Sequence, residues 1–152
     1  MLRIRYTVVP GNTKETLWDS YYDIKDLPQV VKPASGFVYN ANHSPFKSSS
    51  EADNPIAENF AKEINFETYD NNRSTRLLKL LEEEERIDYK RFKRIKYDHQ
   101  LPTPLQYNYM DLNPLFDMKV ADYPEVSTLL TDIQNWDRIT NPTSYGAGAY
   151  AS

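Results

Sequence analysis

The most informative stretch of the chain reads Gly36-Phe37-Val38-Tyr39-Asn40-Ala41-Asn42-His43-Ser44-Pro45-Phe46. Its first four residues include β-branched and aromatic types, which favour a short strand. The asparagine, serine and proline residues that follow favour turns, because their side chains hydrogen-bond the local backbone or fix its φ angle. The stretch therefore predicts a strand that ends in a capped turn with two asparagines.

Two other segments are predicted to be strands. Residues 4–9 are mostly β-branched or aromatic and stop at Pro10-Gly11, which is typical of a strand followed by a turn. Residues 144–152 combine small and aromatic residues without a breaker at the end. We interpret this tail as a strand that is cut short by the end of the chain.

Helices are predicted mainly in the second half. Asn72 or Ser74 can cap the first helix, Asp88 the second, and Pro124 lies in the first turn of the third, which runs from Glu125 to about Trp136. Residues 56–64 are predicted to form an additional short helix. The positions expected to face inward are Leu77, Leu78, Leu80 and Leu81 in the first helix, Phe92, Ile95 and His99 in the second, and Val126, Leu129, Leu130 and Ile133 in the third.

Composition restricts the function. The chain has 152 residues, 39% of them hydrophobic, which is enough for one domain with a core. It has no cysteine, so disulfides, thiolate metal sites and a cysteine nucleophile are excluded. His43 and His99 lack the spacing of a zinc site, and a structural role is expected for each. No apolar run approaches the length of a membrane-spanning helix, and no membrane partner is predicted.

One basic run, from Lys90 to Lys96, raises the alternative of nucleic-acid binding. Four glutamates, Glu82 to Glu85, lie just upstream and are expected to neutralise this face through helical pairs. The chain as a whole also carries a formal charge of −4. A solvated surface is therefore the preferred interpretation, and nucleic acid is not expected as a partner.

Taken together, these blocks resemble the penicillin acylase family, whose members include cephalosporin, aculeacin and acyl-homoserine-lactone acylases. The resemblance spans about residues 17 to 152 and depends on the order and rough spacing of its parts. The blocks that carry it are Leu27-Pro28, residues 33–46, the stretch from Asn72 to Glu82, the stretch from Ile87 to Asp98, and the stretch from Leu130 to Asp137 with the Gly-Ala-Gly-Ala tail.

The resemblance implies an N-terminal-nucleophile hydrolase that cleaves acyl amides. In such enzymes an N-terminal serine attacks the amide and its own α-amino group acts as base. By resemblance, Asn42 would donate to the oxyanion and Arg73 would organise the site, with Arg76 as the second choice for the arginine. Some members have a calcium-binding aspartate near the position of Asp53, so the resemblance implies Asp53 as a candidate ligand of a structural calcium ion in the intact parent. No cofactor is required.

The resemblance also implies a partial chain. Met1 is followed by Leu2, neither of which is a nucleophile, so the catalytic serine is expected outside residues 1–152. We expect a single fragment of the large subunit, with strands and the asparagine motif in 1–46, a polar loop and short helix in 47–71, and a helical region in 72–152. Alone it should be inactive, and its partners would be the remainder of the acylase chain, the small subunit and a small acyl-amide substrate.

The expected fold is α+β: part of the αββα core of N-terminal-nucleophile hydrolases, mostly helical and irregular, with a few short strands. Family resemblance also implies a periplasmic or secreted parent. The competing interpretation is a non-catalytic helical interaction module in which Asn40 and Asn42 only shape a turn.

Overall fold

The computed structural model describes residue 8, residues 10–17 and residues 20–151. The chain divides between Tyr69 and Asp70 into two compact units. Among these residues the first unit has no α-helix and the second has four, while the β-structure amounts to one antiparallel bridge between Gln100 and Ile139. The expectation of a mostly helical and irregular chain is thus confirmed, but an α+β core is not.

The first unit is built from extended segments and single 3-10 turns. Residues 36–39 do not form the predicted strand, because a strand needs a neighbouring strand to pair with and Tyr39 N–H instead donates to the carbonyl of Ser48, at 2.9 Å. Residues 56–64 form two separate turns, not one short helix. The 3-10 turns of this unit are Lys14–Thr16, Ile24–Asp26, Pro45–Lys47, Glu51–Asp53, Ala57–Asn59 and Lys62–Ile64.

The strand predicted at residues 4–9 lies outside the described residues, apart from exposed Val8. Three half-buried phenylalanines of the first unit pack together. Phe46 packs at ring-centroid distances of 5.5 Å from Phe60 and 5.8 Å from Phe66. Such aromatic contacts contribute beyond the area they bury, and they anchor the chain just after the asparagine motif.

The first helix of the second unit, α1, spans Asn72–Glu82. Its N-cap is Asn71, one residue before Asn72 and three before Ser74, the two predicted caps. The Asn71 side chain accepts from Ser74 N–H at 3.0 Å, and the Ser74 hydroxyl accepts from Asn71 N–H at 2.9 Å. This reciprocal capping box satisfies two backbone donors at the helix start. Leu80 is buried on the inner face, as the leucine pattern predicts.

The second helix, α2, spans Tyr89–Lys96 and is capped by Asp88, as predicted. Its inward face is narrower than predicted. Ile95 is buried, but Phe92 is 55% exposed, and His99 lies beyond the helix end and is exposed. The helix ends at Lys96, so His99, seven positions after Phe92, cannot extend its apolar face.

The third helix, α3, spans Ser127–Gln134 after a 3-10 turn at Pro124–Val126. Leu130 and Ile133 are buried in it, whereas Val126 and Leu129 are exposed. The remaining 3-10 turns of this unit are Asn113–Phe116 and Val120–Asp122. None of the helices in the described part of the chain is long and apolar enough to cross a bilayer.

The tail is the clearest correction to the sequence prediction. Residues predicted as a truncated strand form helix α4, Tyr145–Ala151. The Ser144 hydroxyl accepts from Ala147 N–H at 3.1 Å and thereby satisfies a donor at the helix start. Gly146 is buried directly against Trp136. The small residues of the tail thus allow close approach of a helix to the end of α3.

Candidate functional site

The asparagine turn, residues 40–43, is the part of the chain on which the sequence analysis centres. Asn42 N–H donates to the side-chain oxygen of Asn40 at 2.7 Å, which forms an Asx-type turn. Asn42 itself has a φ of +56°, in the left-handed region that asparagine tolerates better than most residues. The two asparagines therefore have different roles: Asn40 shapes the backbone and Asn42 occupies its exposed apex.

His43 stabilises the turn through a ring stack and hydrogen bonds to the backbone. Its imidazole is buried and lies 4.7 Å from the ring of Tyr39 in a stacked arrangement. Nδ1 accepts from Ala41 N–H at 3.1 Å, and Nε2 lies 2.6 Å from the carbonyl oxygen of Lys47. This pattern assigns the ring hydrogen to Nε2, which donates to that carbonyl. His43 is thus a structural residue, in agreement with the expectation.

Two fully buried serines, Ser44 and Ser49, also stabilise the region around the asparagine turn. The Ser44 hydroxyl accepts from Phe46 N–H at 3.2 Å, and its own N–H donates to the carbonyl of Tyr69 at 3.3 Å. The Ser49 hydroxyl donates to the carbonyl of Phe37 at 2.9 Å. Hydrogen bonds to buried hydroxyls stiffen their surroundings. The segments on both sides of the asparagine turn are therefore tied to the same framework.

The sequence analysis did not identify these supporting residues as parts of the site. His43, Ser44 and Ser49 are common turn residues, and nothing in their spacing distinguishes a buried partner from a solvated one. The available signal was the spacing of Tyr39 and His43, which are four positions apart. Rings at this spacing can stack on one face of a helix or across a tight turn. Here the turn between them contains the left-handed residue Asn42.

The arrangement is suited to donating a hydrogen bond without carrying a charge. A side-chain amide has two N–H donors and does not titrate. Asn42 is exposed, and its backbone is fixed by a local hydrogen bond to Asn40, so the position of the residue is preorganised.

The two arginine candidates lie on α1 and differ in their surroundings. Arg76 forms a two-point ion pair with Asp98, with Nε to Oδ1 at 2.9 Å and Nη2 to Oδ2 at 2.8 Å. The hydrogen bonds from Arg76 lower the pKa of the Asp98 carboxyl, and Asp98 in turn raises the pKa of Arg76. Arg73 is exposed near the start of the helix. Because Asn42 belongs to the first unit and Arg73 to the second, their joint action stays a prediction.

Asp53 has a structural role in the first unit. Its carboxylate oxygens accept from Ala34 N–H and Ser35 N–H, each at 2.9 Å. Hydrogen bonds from the Ser35 side chain and then from these backbone groups lower the pKa of Asp53. Calcium needs six to eight oxygen ligands, and the described residues contain no cluster of three or more acidic or histidine side chains arranged for a metal. One carboxylate does not make a site, and Asp53 as a calcium ligand stays a prediction.

Comparison with known proteins identifies the family. No solved structure matches the chain. Residues 4–152, nearly the whole sequence, match the sequence profile of the family described as penicillin amidase. The match includes the asparagine turn, both arginine candidates and all four α-helices. The chain therefore belongs to the penicillin amidase family.

Proposed function

We propose that this chain supplies the oxyanion-hole asparagine, Asn42, to an amidohydrolase that cleaves acyl amides. The nucleophile would be an N-terminal serine carried by a segment other than residues 1–152, so this piece alone would be inactive. The remainder of the large subunit and the small subunit would complete the site. Family membership supports the class of reaction, and the geometry of the asparagine turn supports the choice of residue.

The observation that carries the proposal is the exposed position of Asn42 at the left-handed apex of the turn. In amide hydrolysis, negative charge develops on the carbonyl oxygen in the tetrahedral intermediate, and preorganised donors stabilise it more than they stabilise the substrate. Asn40 is less suited, because its side-chain oxygen accepts the Asn42 N–H and so fixes its amide group in the turn. Family membership and the exposed, left-handed position support Asn42 as the donor that we assign.

Arg73 is proposed as the organiser of the site. The guanidinium of Arg76 is committed to both oxygens of Asp98, and moving it would leave a partly buried carboxylate unpaired. Arg73 is the exposed member of the pair. Its substitution by methionine should lower kcat while the helix remains folded, because arginine and methionine have similar helix propensities.

The decisive experiment separates the amide of Asn42 from its backbone conformation. In the intact, processed enzyme, Asn42→Gly retains access to the left-handed region but removes the donor. We expect kcat to fall about 10²- to 10³-fold, the size of effect seen when one oxyanion donor is removed. Asn42→Ala should lose a similar amount of activity and, in addition, some stability, because alanine does not favour a positive φ.

Asn65 offers a matched control. It is also an exposed asparagine of the first unit with a left-handed backbone, at φ +55°, and it ends a 3-10 turn at Lys62–Ile64. Asn65→Gly should leave kcat unchanged. If Asn42→Gly behaved like Asn65→Gly, Asn42 would serve only the turn, as in the interaction-module interpretation, and the catalytic assignment would be wrong.

A further inference from the structure

A second surface of interest is an open groove in the second unit, beside α2. Its volume is about 670 Å³, within the range of ligand-binding clefts. Three cations of α2 form one wall, and an aromatic, an aliphatic and an amide side chain contribute to the rest. These residues are Lys90, Lys93, Arg94, Tyr97, Ile139 and Asn141.

The wall retains a net positive charge. Arg91 forms ion pairs with two of the upstream glutamates. Its Nη2 lies 2.7 Å from Glu83, and its Nε lies 2.9 Å from Glu84. Lys90, Lys93 and Arg94 form no ion pair with any residue that the structure describes. The glutamate run thus neutralises one arginine of α2 and leaves the groove wall basic, which the sequence analysis did not expect.

The other charged residues of the groove do not offset this wall. Asp98 also lines it, but its two carboxylate oxygens are engaged by Arg76, so this pair is neutral overall. The Nζ of Lys93 lies 5.0 Å from the centre of the Tyr89 ring, a contact that leaves the ammonium charge available to a second partner. The groove therefore presents an unbalanced positive charge to solvent.

We propose that this groove binds an extended acidic peptide segment. Cations three and four positions apart on a helix are about 5–6 Å from each other at Cβ. Alternate residues of an extended peptide lie on one side about 6.6–6.8 Å apart, so carboxylates at every second position match the cations of α2. Ile139 and Tyr97 offer apolar contact, and Asn141 offers an amide for the peptide backbone.

A nucleic acid fits this surface less well. Helix α2 has eight residues and is thus about 12 Å long, which gives few contacts to a phosphate backbone. Glu82 and Glu85 are exposed immediately upstream, and a longer polyanion would meet them. The whole chain is also net negative. A short ligand that mixes carboxylates with amide groups suits these constraints better.

The test measures binding and is independent of the catalytic proposal. The full chain is titrated into a fluorescein-labelled Glu-Ser-Glu-Ser-Glu-Ser peptide at 50 mM salt, with fluorescence anisotropy as the readout. We expect saturable binding, no binding of the matched Gln-Ser-Gln-Ser-Gln-Ser peptide, and at least a tenfold loss of affinity in K90E/R94E. The control K62E/K119E changes the net charge by the same amount at two exposed lysines that do not line the groove and should remain within twofold of the wild type.

Three results would overturn the proposal. The first is the absence of saturable binding. The second is an equal loss of affinity in K90E/R94E and K62E/K119E, which would indicate a general charge effect. The third is tighter binding of a 12-nucleotide single-stranded DNA that displaces the peptide, which would assign the groove to nucleic acid. If K90E/R94E lost helical circular dichroism, K90Q/R94Q would provide the same comparison with a smaller charge change.

Discussion

The contact between Gly146 and Trp136 leads to a sharp prediction, because the chain contains a nearly ideal control for it two residues later. A Cβ added at Gly146 would lie 2.5 Å from Trp136 Cγ and 2.7 Å from the backbone oxygen of Asp132, and closer still to Trp136 Cβ. Asp132 belongs to α3, and Trp136 follows two residues after the helix end. The indole of Trp136 is buried, and its Nε1 donates to the carbonyl of Ile139 at 2.9 Å. A rotamer change cannot relieve the overlap.

The expected magnitude follows from two opposing terms. Alanine improves helix propensity over glycine by about 1 kcal/mol. Against this, ordinary contact needs at least 3.4 Å, so α4 must move away from Trp136 by about 1 Å. Overpacking of this kind costs about 1–3 kcal/mol and occasionally more, and anchored atoms put the cost at the upper end. Gly146→Ala should therefore lower the free energy of unfolding by about 2 kcal/mol.

Gly148 lies in the same helix, is exposed, and has no atom within 4 Å of an added Cβ. Gly148→Ala should raise the free energy of unfolding by up to about 1 kcal/mol through helix propensity alone. In urea, with a slope of about 2 kcal/mol/M, the two variants should have midpoints about 1.5 M apart. Trp136 fluorescence in a W18F background reports on the contact itself. Equal shifts of both variants, in either direction, would refute the proposed packing of α4.

Two further outcomes are expected. Asp98→Asn should lower the free energy of unfolding by about 2 kcal/mol at pH 7, because it removes the charge from a hydrogen-bonded ion pair. The pKa of Asp98 is lowered in the folded protein. The stabilisation by the Asp98 charge is therefore present above the unfolded-state pKa of about 3.9 and is lost as the pH falls through the folded-state pKa. The difference in urea stability between wild type and variant should thus shrink below pH 4, and a difference that stayed constant down to pH 2 would contradict the linkage. His43→Phe preserves the stack on Tyr39 but removes the acceptor for Ala41 N–H. It should destabilise the first unit by about 2 kcal/mol and accelerate hydrogen exchange at the Ala41 amide. Unchanged exchange would show that this hydrogen bond contributes nothing.

The sequence predicted the helices best where capping and periodicity coincide. Helix α1 has Asn71 and Ser74 at its start and leucines along one face, so local and tertiary preferences agree. Helix α2 was placed correctly by Asp88, but its burial was overestimated because the pattern was extended to His99, beyond the end at Lys96. Periodicity reveals an amphipathic face but not the residue at which the helix stops.

The segments that were mispredicted depend on distant partners. Residues 36–39 contain β-forming types, yet none of the described segments pairs with them as a strand, and only tertiary structure decides that. Residues 145–151 show no helical hydrophobic periodicity, so the sequence did not predict a helix there. We attribute this helix to the packing of Gly146 against Trp136. The turn at Asn40 and Asn42 was predicted from the two asparagines, and their catalytic role stays a prediction. The supporting bonds of His43 and Ser49 arise from chain reversals that the local sequence does not encode.

The two proposed sites depend on different physics, and this makes them separable by experiment. The asparagine turn is held by uncharged groups: an amide oxygen, an imidazole and buried hydroxyls. The groove beside α2 depends on cations whose attraction to carboxylates is screened over about 10 Å at 0.1 M salt. Raising the salt concentration should therefore weaken peptide binding and leave the conformation of the turn unchanged. Because the turn belongs to the first unit and the groove to the second, a substitution that altered both responses alike would indicate a general loss of folding, not an effect on either site.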